Sequence, residues 1–159
     1  MDDCVFCALV AGRLPARRVW EDDRHLAFLP LRSFAPGHTL LIPKRHAAYV
    51  FDLDDGEYQG LWAAARRLAP GIREVSGAAR VGVLVEGFSV PHVHVHLVPV
   101  NGLADIDPAR ERALPDAEAD RIADALRAAL GGATAVPAAP VDDAARAKIA
   151  GHPTAGARR

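Results

Sequence analysis

Hydrophobic and polar positions change period several times along this chain, and each change marks an element. Residues 17–29 read as a hairpin: Arg18-Val19-Trp20-Glu21 and Leu26-Ala27-Phe28-Leu29 flank the polar Asp22-Asp23-Arg24. A segment rich in turn formers runs to Pro36-Gly37. The short apolar run Thr39-Leu40-Leu41-Ile42, stopped by Pro43, reads as a third strand. Residues 54–69 switch to a helical period, with Asp54 and Glu57 spaced as a capping box and Leu61, Ala65 and Leu68 on one face. Pro70-Gly71 is expected to kink or stop this helix, although Ile72 and Val75 continue its apolar stripe. Residues 81–85 and 90–98, separated by a turn at Gly87, read as two more strands. Residues 116–130 start acidic, bury Ile122, Leu126 and Leu130 and end at Gly131-Gly132, which predicts a second helix. Residues 132–159 are rich in Ala and Pro and read as a flexible tail with one helical turn near Asp142 to Ala150.

These elements predict an α+β fold, an antiparallel meander of about five strands with one main helix. The expected organisation is a domain over 1–110, a C-terminal helix over 111–131 packed on it, and the tail over 132–159. Composition agrees with a single domain: the chain has 159 residues, half of them hydrophobic. Its 19 Lys and Arg balance 20 Asp and Glu, so no nucleic-acid partner is expected. No apolar run reaches membrane-spanning length and the first residues are acidic, so the expectation is a cytoplasmic protein without membrane attachment. The two cysteines form one Cys-x-x-Cys, Cys4 and Cys7, a spacing that in a reducing compartment suggests a metal or a redox pair.

The sharpest chemical signal is His92-Val93-His94-Val95-His96-Leu97-Val98. On a strand, residues two apart share a face, so the three histidines line one side while Val93, Val95 and Leu97 enter the core. Three imidazoles in a row gain nothing in packing over aliphatic side chains and repel one another when protonated, which disfavours a merely polar surface. Two chemistries fit. Three histidines and a water make a hydrolytic zinc site. Alternatively, one histidine attacks phosphorus while its neighbours hold its tautomer and assist the leaving group. The alternation alone leaves both open.

The surrounding residues resemble the histidine triad (HIT) family. Gly87-Phe88-Ser89-Val90-Pro91-His92-Val93-His94-Val95-His96-Leu97-Val98-Pro99 is similar to its defining motif. Residues 21–29, and 35–46 from Ala35-Pro36-Gly37-His38 to Pro43-Lys44-Arg45-His46, are similar to its first hairpin and following strand. Cys4-Val5-Phe6-Cys7 resembles the opening of many bacterial members. The likeness covers roughly residues 3–100. It implies a HIT-like fold, a homodimer, and a phosphohydrolase or nucleotidyl transferase acting on a nucleotide-like phosphoanhydride or phosphoramidate. It also implies His94 as nucleophile, forming a phosphohistidine-type intermediate, with His96 contacting the phosphate and helping the leaving group and His38 as the fourth histidine of the site. Ser89 corresponds to a phosphate-contacting position. Cys4, Cys7, His46 and His92 are implied to hold one structural zinc per chain, which takes His92 out of the chemistry. A zinc hydrolase built on His92, His94 and His96, and a non-catalytic nucleotide-binding protein, stand as rivals.

Two positions depart from the family pattern. Pro30 stands where an Asp or Asn commonly binds the ribose hydroxyls, and Phe88 stands where a Gln commonly contacts the phosphate region. Phe88 is therefore expected beside the substrate and to make that part of the pocket apolar. Leu31 and Phe34 are candidates for a base pocket or for the core, and Trp20 and Trp62 for packing. His25, beside the hairpin turn, is expected to be solvated, and His152 in the tail to carry no role.

Overall fold

The structure, a computed structural model, describes residues 4–131 and 141–150. Its elements are α1 (Val5–Val10), β1 (Arg17–Glu21), β2 (His25–Leu29), β3 (Thr39–Pro43), α2 (Asp55–Ser76), β4 (Arg80–Leu84), β5 (Val95–Val100), α3 (Asp116–Leu130) and α4 (Asp143–Ala150). The strands form one antiparallel sheet in the order β1-β2-β3-β5-β4. The α+β meander of five strands is thus present. Among the described residues no helix is long and apolar enough to cross a membrane.

Both faces of the sheet are covered, by different helices. Leu61, Ala65, Leu68 and Ile72 of α2 and Leu126 of α3 pack with Ala27, Leu29, Leu41, Val93, Val95 and Leu97. On the opposite face, Val5, Phe6 and Leu9 of α1 pack with Leu26, Phe28, Leu40 and Ile42. Successive residues of β2 therefore enter different cores, which is why its burial is continuous rather than alternating. The α1 helix is only six residues long, too short for a helical period to register in the sequence.

The expectation that Pro70 kinks or ends α2 is corrected: the helix continues to Ser76 and closes at Gly77, which adopts a left-handed φ of 66°. A proline inside a helix costs about 3 kcal/mol. Burial of Leu68 and Ile72 on either side offsets it, at roughly 1.5–3 kcal/mol per side chain. At Gly71 an added Cβ would meet Leu130 Cδ2 at 2.6 Å, so a glycine lets α2 and α3 approach closely at this level.

The fifth strand is also shorter at its start than the expected 90–98. The ladder runs from Val95 to Val100, because β3, which pairs Leu41 with Val95, ends two residues further on at Pro43. Residues 92–94 are held instead by the Val93 N–H, which donates to the Ala47 carbonyl at 2.7 Å. The alternation nonetheless survives, with Val93, Val95 and Leu97 in the helix-side core. The α3 helix lies against α2 and β1 and is tied there by buried Arg17, which donates to Asp120 and Asp116 at 2.7 Å each. The helical turn expected near 142–150 is α4, whose Arg146 pairs with Asp116. The rest of the expected flexible tail, 132–140 and 151–159 including His152, lies outside the described residues.

Candidate active site and metal centre

Although all three triad histidines lie on the α1 side of the sheet, they do not converge on one point. His92 turns towards the N-terminal cysteines, and His94 and His96 towards Glu86. Backbone carbonyls decide the difference. His92 Nε2 lies 2.8 Å from the Pro43 carbonyl, to which it donates, so its Nδ1 lone pair faces Cys4 Sγ at 3.4 Å and Cys7 Sγ at 3.6 Å. His94 does the reverse. Its Nδ1 donates to the carbonyl of His92 at 2.7 Å, leaving Nε2 to point into the second cluster.

The first cluster is completed by His46, whose Nδ1 lies 3.4 Å from Cys7 Sγ. Sulfur and nitrogen ligands of one tetrahedral zinc sit about 3.6 Å apart, so these separations fit a common ion. Burial, reinforced by the adjacent Cys4 thiol, pushes the Cys7 thiol up to about 11. The neutral protein therefore keeps this thiol protonated, and a cation between the two sulfurs is what would favour its thiolate. Burial lowers His92 to about 4, against the hydrogen bond to Pro43, so its imidazole is neutral and competent as a ligand.

The second cluster is built on a chain of hydrogen bonds that fixes tautomers. The Phe34 N–H donates to His38 Nδ1 at 3.3 Å. A neutral His38 then carries its proton on Nε2, which lies 3.1 Å from His96 Nδ1 and donates to it. The proton of His96 is thereby placed on Nε2, a fully buried atom with no partner among the described residues. Burial lowers His38 to about 3 and His96 to about 4, so both rings are neutral at pH 7. The rings of His38 and His96 stack at 5.2 Å, and Phe34 lies 5.1 Å from His38. His38 therefore sits behind His96 rather than at the mouth of the site. Phe6 of α1 packs edge-on against both His92, at 5.8 Å, and His94, at 5.3 Å, so one ring touches both clusters.

Glu86 has no counterpart in the sequence motifs, yet it is the most heavily contacted group here. Gly87, at φ +78°, turns the chain so that the next two residues double back over the Glu86 carboxylate. The Phe88 N–H donates to it at 2.5 Å, the Ser89 N–H at 3.3 Å, and the Ser89 hydroxyl also donates to it. His94 Nε2 lies 3.2 Å from Glu86 Oε1. Burial disfavours the charged form, but the Ser89 hydroxyl, the Phe88 N–H and His94 outweigh it and hold the carboxyl below its ordinary value.

His94 is 2 % exposed, covered by Phe6, His96 and Glu86. Two expectations are corrected. His25 is not solvated but buried, with its N–H and its ring both directed at Asp22. The Phe88 ring is not packed into the cluster, being 81 % exposed; its backbone N–H is the group that bonds to Glu86. Leu31 is half-buried in the segment after β2.

Comparison with known proteins places the fold and the family. The family model described as HIT domain matches residues 11–103. A HIT-like protein of Mycobacterium tuberculosis is 35 % identical over 124 residues, covering 73 % of this chain and 86 % of its own length. Adenosine 5′-monophosphoramidase of Saccharomyces cerevisiae is 31 % identical over 97 residues, which cover 60 % of this chain and 61 % of the yeast protein. The fold is similar to that of a zinc-bound histidine triad family protein from Mycobacterium smegmatis, with a TM-score of 0.71 and 35 % identity over 80 % of this chain and 93 % of that one. A motif match over more than half the chain and the shared five-stranded sheet place it without ambiguity: the chain belongs to the histidine triad (HIT) family.

Proposed function

We propose that this protein hydrolyses a phosphoanhydride or phosphoramidate bond of a nucleotide-like substrate through a covalent intermediate on His94. The observation that carries the reading is the 2.7 Å bond from His94 Nδ1 to the His92 carbonyl. In the neutral ring it leaves the lone pair on Nε2, the nitrogen that lies 3.2 Å from Glu86 Oε1. The groups that donate to that carboxylate, two backbone N–H groups and the Ser89 hydroxyl, are together with the unpartnered His96 Nε2–H donors suited to a phosphoryl group. In the first half-reaction Nε2 bonds to phosphorus as the bond to the leaving group breaks, and the leaving group takes up a proton. In the second, water attacks the same phosphorus and frees His94. The net change adds hydroxyl to phosphorus and a proton to the leaving group. His96 donates a hydrogen bond to a phosphoryl oxygen, and His38 acts as a positioning residue that holds the His96 proton on Nε2. The name of the yeast relative supports a nucleoside phosphoramidate as one substrate class.

The rival zinc hydrolase needs lone pairs from three histidines at one point, and in this arrangement His92 turns away to the cysteines. A cation held by Glu86, His94 and His96 instead would need the His96 Nε2 lone pair, where the chain from the Phe34 amide places a proton. The metal in this reading is one zinc per chain on Cys4, Cys7, His46 and His92, with four donors and no open position, hence structural. The zinc-bound mycobacterial neighbour supports it.

A homodimer completes the reading. The sheet order leaves β4 at an edge, and its Val83 is 46 % exposed. Wild type should sediment as a dimer and Val83→Lys as a monomer; a monomeric wild type removes the pairing. For the chemistry, the test is to quench the enzyme during turnover of adenosine 5′-phosphoramidate and map the adduct by mass spectrometry. An adenylyl group on His94 is expected. Turnover with no adduct on any histidine under rapid quench would overturn the covalent mechanism.

A further inference from the structure

The donors that suit a phosphoryl group are already engaged, by a side chain of this protein. Glu86 accepts from the Phe88 N–H, the Ser89 N–H and the Ser89 hydroxyl, and its Oε1 lies 3.2 Å from His94 Nε2. That last distance is decisive. A phosphorus atom attacked by Nε2 must come within about 3–3.5 Å of it before bonding. The carboxylate oxygen stands where the reacting group has to stand, and the two cannot coexist.

We propose that Glu86 is an internal competitor for the phosphoryl site: its carboxylate occupies the anion cradle and caps the nucleophile, and a substrate binds only by displacing it. This rests on the phosphoryl-site reading of His94 and Ser89 given above. The resemblance between ligand and plug is chemical. Both present anionic oxygens to the same backbone N–H groups and hydroxyl, and both are planar or tetrahedral groups small enough for one turn of loop.

Displacement has a means. Glu86 lies just after β4, outside the ladder that ends with Leu84 paired to His96, and its side chain is a quarter exposed. Rotation of its side-chain torsions carries the carboxylate towards solvent without breaking a strand hydrogen bond. The tether keeps the carboxylate within a few ångströms of the cradle even when displaced. Its negative charge then opposes the charge on a bound phosphate, more strongly for a dianionic monoester product than for a monoanionic substrate. Glu86 thus weakens binding generally and product binding most.

The test is direct binding. Adenosine 5′-monophosphate is titrated into wild type, Glu86→Ala and Glu86→Gln by calorimetry, alongside adenosine 5′-phosphoramidate turnover. Circular dichroism confirms that each variant is folded, and the glutamine form retains the side-chain volume should the alanine form be destabilised. Glu86→Ala is expected to bind the nucleotide about tenfold more tightly and to lower KM, with Glu86→Gln shifted in the same direction. Equal affinity in wild type and both variants would overturn the competitor while leaving the phosphoryl site standing. Weaker binding by the variants would also overturn it, making Glu86 a ligand contact. If no protein binds the nucleotide and none turns over the phosphoramidate, the phosphoryl-site reading falls, and the competitor with it.

Discussion

Two histidines on the same stretch of chain, His92 and His94, are put to opposite uses by one hydrogen bond each. His92 spends Nε2 on the Pro43 carbonyl and offers Nδ1 to two sulfurs; His94 spends Nδ1 on the His92 carbonyl and directs Nε2 at the Glu86 carboxylate. The first cluster has four groups whose ligand atoms face one another, enough to fill a tetrahedral site. The second has a donor, His96 Nε2–H, without a partner, and a carboxylate that can leave. Residue type does not separate the two histidines. The carbonyl that each ring meets does, by selecting which nitrogen remains free for the metal or for the chemistry in the proposed reading.

The strongest way to break this contrast is to remove the open lone pair alone. His94→Asn should lower kcat/KM for a phosphoramidate substrate by about 10⁴-fold or more, since nucleophile removal leaves only binding and electrostatic assistance. Because His94 is buried and bonded to the His92 carbonyl, the variant should also lose about 1–2 kcal/mol of stability, the usual worth of such a bond. Its zinc content should not change, because the proposed ligand from this segment is His92, with Cys4, Cys7 and His46, and His94 belongs to the other cluster. Wild-type turnover in folded His94→Asn would end the assignment.

Breaking the closed cluster should act next most strongly, on stability first. Chelation, or Cys7→Ser, should lower the melting temperature by about 10 °C, corresponding to a few kcal/mol for a domain of this size. Activity should fall with it, because Phe6, which lies between Cys4 and Cys7 on the chain, packs edge-on against His94. Metal should also be lost as pH falls, since each ligand must release its proton to bind, and Cys7 does so reluctantly. A metal-free protein with unchanged melting temperature and full activity contradicts both parts.

How much of this contrast was visible beforehand depends on whether the signal was local. The alternation over 92–98 showed which side each histidine takes, and the sheet keeps it. The spacing of Cys4 and Cys7 and the resemblance to the family predicted the four-donor cluster that the fold assembles from three separate segments. Glu86 gave no signal, because its position depends on the positive φ of Gly87 folding two residues back over it. Phe6 lies in a helix of six residues, below the length at which a period can register. His25 differs from a usual hairpin neighbour because its ring lies beside Gly60 of α2, whose missing side chain leaves it room, while its Nδ1 stays 3.1 Å from Asp22. The continuation of α2 past Pro70 followed from tertiary burial of Ile72 against α3, which overrides a local breaker.

A smaller effect tests the tautomer chain. His38→Phe removes the donor that holds the His96 proton on Nε2, and should lower kcat/KM about tenfold to a hundredfold, one hydrogen bond's worth in the reacting complex. It should also flatten the acid limb of the stability curve. His38 and His96 sit at about 3 and 4 in the folded protein, below the ordinary histidine value of 6.5, so the unfolded chain binds more protons between those limits. Their contribution is complete above about pH 6.5 and is lost as pH falls towards 4 and then 3. Urea midpoints measured from pH 7 to pH 4 should decline less steeply in His38→Phe than in wild type. Parallel curves would mean that His38 titrates alike in the folded and unfolded chain, against the burial that lowers it here.

The smallest effects are expected at Pro30 and Phe88, where this chain departs from the family pattern. Pro30 has no side-chain donor or acceptor for a sugar hydroxyl, and a site that makes no such bond leaves nothing unpaired when the hydroxyl is missing. Adenosine and 2′-deoxyadenosine phosphoramidates should therefore differ by less than about tenfold in kcat/KM, that is, less than about 1.4 kcal/mol. Phe88 meets the site through its backbone N–H, which any residue supplies, while its ring is exposed. Phe88→Gln alone should thus change kcat/KM by less than about threefold. Adding Pro30→Asp to it should raise both activity and ribose preference, because it restores the acceptor that the family pattern has at this position. A wild-type preference for ribose of about a hundredfold, roughly 2.7 kcal/mol, would mean that a different residue binds the hydroxyls. Sugar recognition would then be as exacting as the two histidine clusters.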